Sequence, residues 1–222
     1  MAVNVIVVAA ILGNWWTESY INPGAWQGYV VGGPGYGLGQ WTDITTSQGS
    51  VYRRTALFNY LSAHGYQQDD GNGQLEFFEY ENYWTSGTGQ YSALFLNLQD
   101  FLSYIPTGSQ LPELETLTYA FQQGWEGITT PQSIRYSYAQ NCLDFLIQHG
   151  TDPRQPWYKQ NSPLALNESY SNCLLVYDYL NGVIPPPPTP TNIPDYVKAI
   201  LKKLRKDRLR DDPSKRKRSI LF

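Results

Sequence analysis

Apolar and polar positions along the chain mark out a series of helices, and the first differs from the rest. Residues 5–12 are apolar on every face, and the run continues through Asn14, Trp15 and Trp16 to Glu18 before Asn22-Pro23-Gly24 stops it. An all-round apolar helix predicts a buried central one. The later stretches are amphipathic. Residues 52–64 carry Leu57, Tyr60 and Leu61 on one face, with Gly65 as the stop. Residues 74–84 set Phe77, Tyr80, Glu81 and Trp84 at three- and four-residue spacing and leave most of the charge of Glu76, Glu79 and Glu81 to solvent. The preceding Asp69-Asp70-Gly71-Asn72-Gly73 lacks the later ligands of a calcium loop and reads as a capping turn. Residues 91–104 predict a further helix, with Leu94, Phe95, Leu98, Phe101 and Leu102 inward. Pro112 opens the next, striped by Leu114, Leu117, Ala120, Phe121 and Trp125 and closed by Glu126. Residues 133–149 turn Ile134, Tyr138, Cys142, Phe145 and Leu146 inward, and residues 167–180 form one more helix. With little strand signal, the expected fold class is mainly α.

Between the first two helices lies a glycine-rich stretch, residues 32–41, that is expected to form neither regular helix nor strand. It has no Walker lysine and is no phosphate loop. It presents Tyr36, Gln40 and Trp41, two aromatic faces and an amide that suit a sugar ring and its N-acetyl group, in a loop outside the core. Glu18 faces it from the end of the central helix, with Asn14 and Trp15 on the same helix face. Desolvation among Trp15, Trp16 and Trp26, together with the partial negative charge of a helix C-terminus, would favour a protonated acid able to protonate a leaving group. The helix alone is equally compatible with a solvated glutamate.

The segments AAILGNWWTESYINPGAW and GGPGYGLGQWT, followed by QLEFFEYE, YAFQQGWEGI and Arg135 through Ala139, resemble the phage tail lysozyme family of the lysozyme and lytic-transglycosylase fold. The resemblance spans nearly all of the first 150 residues. It implies a lysozyme-like domain built around the buried central helix. It also implies Glu18 as the catalytic glutamate, Gln40 as the glutamine lining a glycan cleft, and peptidoglycan glycan strands as the substrate. Trp26, Tyr36, Trp41 and Asn14 are the further expected glycan contacts. Cleavage needs an acid and then either a second carboxylate or an internal nucleophile from the sugar. Asp43, just past the glycine turn, and Glu126 are the candidate second carboxylates. Glu126 is equally a candidate for a structural ion pair with Arg135. A hydrolase and a lytic transglycosylase both remain open, and the competing class is a non-enzymatic virion structural or adaptor protein that retains the fold.

Composition supports carbohydrate contact or subunit packing, since charged residues make up only 16% while aromatics reach 15%. His64 and His149 each sit next to a glycine at a helix end and read as helix-terminal cations rather than bases. Arg53-Arg54 read as a solvated or ion-paired helix start. Cys142 and Cys173 form no metal-ligand pattern and read as free buried thiols, so no metal and no cofactor is expected. The first apolar run has no basic segment before it and is too short to span a bilayer, so a protein made in the host cytoplasm without its own signal peptide is expected.

The chain divides by pattern into a lysozyme-like catalytic domain over 1–150, a helical extension over 151–184, a Pro-rich linker over 185–192 and a basic tail over 193–222. Residues 1–192 hold 5 Lys+Arg against 15 Asp+Glu, a net of −10, whereas residues 193–222 hold 11 against 4, a net of +7. The tail predicts an amphipathic helix over 195–210 with Tyr196, Val197, Ile200, Leu201 and Leu204 on its apolar side. It reads as a segment docking on other phage tail or virion proteins, with nucleic acid or an anionic membrane as alternative partners. The expected location is the virion, in the tail or as an injected component.

Overall fold

The computed structural model describes residues 3–46, 49–107 and 110–183, so the proline linker and the basic tail lie outside the described residues. The described residues belong to one compact unit. The all-apolar segment forms helix α1, Val5–Ser19, which Asn4 caps by accepting the Ile6 amide hydrogen at 3.1 Å. Nearly every α1 residue is buried, as a helix apolar on all faces requires. Its end is set by Tyr20, which adopts the left-handed conformation and bonds back to the Trp15 and Trp16 carbonyls.

Three long helices enclose α1: α5 at Gln110–Gly124, α6 at Ser133–His149 and α7 at Leu166–Leu180. A Cβ at Gly13 would lie 2.5 Å from the Arg135 carbonyl and 2.6 Å from Ala139 Cβ. Glycine there lets the α6 backbone touch α1, which brings Arg135 alongside Glu18. The buried stripe of α6 runs through Arg135, Ala139, Cys142 and Leu146, while Ile134 is exposed, so the expected inward face is displaced by one residue at its start. Cys142 meets Cys173 of α7 in a thiol–thiol hydrogen bond, the two sulfurs 4.0 Å apart and not joined in a disulfide. The 151–165 segment is tied to the end of α1, because the Asn22 amide donates to the Gln160 and Ser162 carbonyls at 2.7 and 3.0 Å. Asn172 of α7 donates to the Ile21 carbonyl at 2.8 Å.

A small antiparallel sheet in the order β1-β2-β3 sits beside these helices, formed by β1 Gly35–Tyr36, β2 Trp41–Thr46 and β3 Gly49–Tyr52. The glycine stretch is therefore the turn of a hairpin, with Tyr36 paired to Trp41, and not wholly irregular as its composition implied. Helix α2, Arg53–Ala63, follows directly and buries Leu57 and Leu61. Helix α3, Gly71–Glu81, begins earlier than expected because Asp70 caps it, accepting from the Asn72 and Gly73 amides. It also ends earlier, leaving Trp84 off the helix and Tyr80 71% exposed. Glu76 and Glu81 are not solvent-facing. Two tyrosine hydroxyls, of Tyr60 and Tyr66, donate to Glu76, and Arg53 binds Glu81 through two nitrogens. The helix expected over 91–104 is broken into a 3-10 turn, Ser92–Leu94, and a short α4, Leu98–Leu102, because Asn97 starts a new helix by capping the Asp100 amide. Leu94 is exposed as a result.

Candidate active site

Glu18 lies in the last turn of α1, and its position is set by a buried arginine. Arg135 is only 3% exposed and donates through Nη2 to Glu18 Oε1 at 2.5 Å. Its remaining nitrogens are held from behind, Nε by Gln132 Oε1 at 2.8 Å and Nη1 by Asn14 Oδ1 at 3.2 Å. Asn14 is fixed in turn, donating to the Ala10 and Thr118 carbonyls. A guanidinium this buried needs most of its donors satisfied, and here the backing groups orient it so that the last fork meets the carboxylate. Glu18 Oε2 is left without a protein partner among the described residues. The expected aromatic box around Glu18 is not built: Trp15 packs into the core against Phe78 and Trp125, Trp16 against Tyr138 and Tyr170, and Trp26 against Tyr36 and Phe58. What Glu18 meets instead is a cation. The ion pair anticipated between Glu126 and Arg135 is replaced by this one with Glu18.

Glu18 opens onto a cleft of about 300 Å³ whose walls include Gln27, Gln40, Thr42, Ile44, Arg53, Trp125 and Glu126. Of the expected glycan contacts, Gln40 is in place. Its Nε2 donates to the Ala25 and Gly37 carbonyls at 3.0 Å each, which leaves Oε1 buried without a protein partner. Gln40 also adopts a positive φ of 50°. It is thus part of the hairpin's framework as well as of the cleft, unlike the free loop residue expected. Gln40→Ala is expected to lower stability by about 1–3 kcal/mol besides weakening turnover. Thermal denaturation of the variant measures this, and an unchanged Tm would show that the two amide bonds do not support the turn.

The other expected contacts lie elsewhere. Trp41 is fully buried, with its indole Nε1 donating to Glu81 at 3.0 Å. Asn14 is fully buried behind Arg135, where it positions the arginine and cannot reach a glycan. Tyr36 lines a different and larger cavity of about 700 Å³, between the α2 end and the 65–69 and 160–161 loops. Trp26 packs beside Tyr36, with the Arg54 guanidinium 5.8 Å from its ring centre. That second cavity is the larger, but it holds neither Glu18 nor Gln40, so the smaller cleft is the candidate site.

The two candidate second carboxylates also separate. Asp43 faces α2, where its oxygens accept from the Thr55 amide at 3.0 Å, the Thr55 hydroxyl at 2.7 Å and Arg54 at 3.1 Å. Partial burial opposes its charge, but the Thr55 hydrogen bonds and the Arg54 cation outweigh that and hold its carboxyl below the ordinary range. Glu126 follows α5 in a turn completed by Gly127 and lines the same cleft as Glu18. The residue as a whole is partly buried, and its Oε1 is fully enclosed with no protein partner. Burial first, and the charge of Glu18 second, push its carboxyl well above the ordinary value of 4.5. A carboxyl neutral in the fold and ionised when unfolded binds more protons in the folded state, so the fold loses stability as pH rises through and beyond 4.5. Glu126→Gln is therefore expected to raise Tm at about pH 8 and to change it little at about pH 4. An equal gain at both would show that the carboxyl is not held neutral.

Arg53 completes the cleft. It is bonded to Glu81 at 2.6 and 2.9 Å and lies over the Tyr83 and Trp125 rings at 4.1 and 4.3 Å. Sequence reasoning took it for a helix start and did not give Arg135 its place behind Glu18. The signal for Arg135 is the 135, 139, 142, 146 spacing, which puts a cation on the inward stripe of α6, where it must find a partner. Among the described residues no group of three His, Cys, Asp or Glu side chains is arranged to hold a metal ion. Nor is any described helix long and apolar enough to cross a membrane.

The constellation is a carboxylate at the end of a buried helix, set by an arginine and faced across a cleft by a hairpin glutamine. It is suited to acid–base chemistry on a ligand seated in the cleft. No curated protein matches the chain. The family model for phage tail lysozyme matches residues 3–146, which takes in Glu18, Gln40, Glu126 and Arg135, and the chain belongs to the phage tail lysozyme family.

Proposed function

We propose that the protein is a virion-borne enzyme that locally opens the bacterial wall by cleaving the glycan strand of peptidoglycan, with Glu18 as general acid. The observation that carries this reading is the placement of Glu18, anchored through Oε1 by buried Arg135 with Oε2 left for substrate, in the cleft that Gln40 also lines. Glu18 gives its proton to the bridging oxygen as the bond from that oxygen to C1 breaks. Gln40 shapes the wall of the cleft, its amide held by the Ala25 and Gly37 carbonyls.

The second step follows from the state of the other carboxyls. A base that activates water must be ionised and near the bond. Asp43 lies off the cleft with both oxygens bonded, and burial pushes the Glu126 carboxyl well above the ordinary range, against the ionised form a base needs. These facts favour attack by the sugar's own 6-hydroxyl on C1. Its proton returns to the Glu18 carboxylate, leaving an anhydro end and restoring the acid. Glu126→Gln is then expected to keep wall lysis within about tenfold of wild type, measured as clearing of purified cell walls. A loss of ~10² or more would make Glu126 a working base and overturn the internal route.

The tail over 193–222 is assigned a docking role on the strength of its charge and apolar stripe. Deleting residues 185–222 is expected to leave wall lysis by the purified protein unchanged while the protein fails to enter particles. Normal incorporation of the shortened chain would contradict docking.

A further inference from the structure

A second recess, of about 250 Å³, opens where α1 and α6 meet the start of α7, and it shares no lining residue with the cleft. Trp16 and Glu18 are two positions apart on α1, about 200° around the helix, so the recess and the cleft use opposite sides of it. Trp16 is at its base, with the Tyr138 ring stacked at 5.6 Å between centroids and Tyr170 at 4.9 Å. Tyr20 and the exposed Asn141 line its rim. The backbone holds Tyr20 there in the left-handed region at a φ of 58°, and Ile21 repeats that conformation at 57°. Such positions disfavour residues other than glycine, so the tyrosine is kept at a conformational cost. Ser169 also lines the recess. It is fully buried, and its hydroxyl has no hydrogen-bond partner in the protein, which is costly unless a ligand supplies one.

The chemistry of the lining defines the ligand. None of the lining residues is charged, which speaks against a phosphate, a carboxylate or an amine. Aromatic rings and the Leu164 and Leu166 side chains alternate with an amide and hydroxyls, a surface that matches a neutral ring with one apolar C–H face and an edge of hydroxyls. The volume is below the ~300–1,000 Å³ of sites for larger ligands and suits a single ring. We propose that this recess is a second saccharide site, which takes one pyranose ring of the wall glycan away from the cleavage cleft and tethers the protein to its polymeric substrate. The proposal rests on the wall-glycan reading above, and it adds a site that cleavage itself does not need.

The test uses the full chain carrying Glu18→Gln, so that substrate is not consumed, titrated calorimetrically with N-acetylglucosamine tetramer and then mixed with purified cell walls. Tyr20→Gly and Asn141→Trp are added singly. Glycine is at ease at a positive φ, so the first removes the ring without straining the backbone, and the second fills the mouth from an exposed position. Two binding events are expected, one weakened at least ~10-fold by either substitution, with a matching loss of wall retention and an unchanged Tm. A single event insensitive to both substitutions would overturn the second site and leave the cleft reading standing. Absence of any saccharide binding would overturn both.

Discussion

Glu18→Gln is expected to lower wall lysis by at least ~10² while the protein stays folded. Glutamine keeps the length and shape of the side chain, and its Oε1 can still accept from Arg135 Nη2. What it lacks is the proton that the leaving oxygen requires. The substitution also removes the charge that balances a buried guanidinium, though Arg135 keeps Gln132 and Asn14 as acceptors. The stability cost should be about 1–3 kcal/mol, well short of what unfolding a domain requires. Clearing of purified cell walls and thermal denaturation on the same preparation separate the two effects. Lysis at the wild-type rate would remove Glu18 from the mechanism, and an unfolded variant would show that the Arg135 pair is structural before it is chemical.

Trp41→Ala is expected to destabilise the fold by about 3–5 kcal/mol, the range for truncating a large buried aromatic. Trp41 is fully buried, with Trp125 at 5.5 Å and Phe77 at 5.9 Å between ring centres, and its indole nitrogen bonds Glu81. Against a total of about 5–15 kcal/mol, that loss is a large fraction. Were Trp41 a sugar platform, the same substitution would weaken glycan binding and leave the urea midpoint nearly unchanged. A midpoint within error of wild type would therefore return Trp41 to the cleft.

The case of Trp41 shows where the sequence is readable and where it is not. Apolar residues at helical spacing located α1, α2, α5, α6 and α7 to within a few residues, because a stripe that must be buried leaves a period in the chain. The same period failed over 91–104, where Asn97 competes as a cap and breaks one helix into two pieces. At the hairpin the difficulty was facing. Along a strand alternate side chains point to opposite sides, so Thr42 and Ile44 line the cleft while Trp41 and Asp43 turn away. Without knowing that the glycine stretch is a hairpin turn, an aromatic and a carboxylate beside it both read as site residues. Glu18 was legible because a lone charge ending an apolar helix must be accommodated. Its partner was not, because a contact between Glu18 and Arg135 spans 117 positions and leaves no local trace.

The most direct measurement is the mass of the fragments released when the purified full-length protein digests purified peptidoglycan. Cleavage of the glycan strand by Glu18 with the sugar's 6-hydroxyl as nucleophile predicts disaccharide-peptides lighter by one water than their hydrolysed counterparts, and none from Glu18→Gln. Fragments with ordinary reducing ends would contradict the internal route, and new peptide amino termini with intact glycan strands would contradict glycan cleavage altogether.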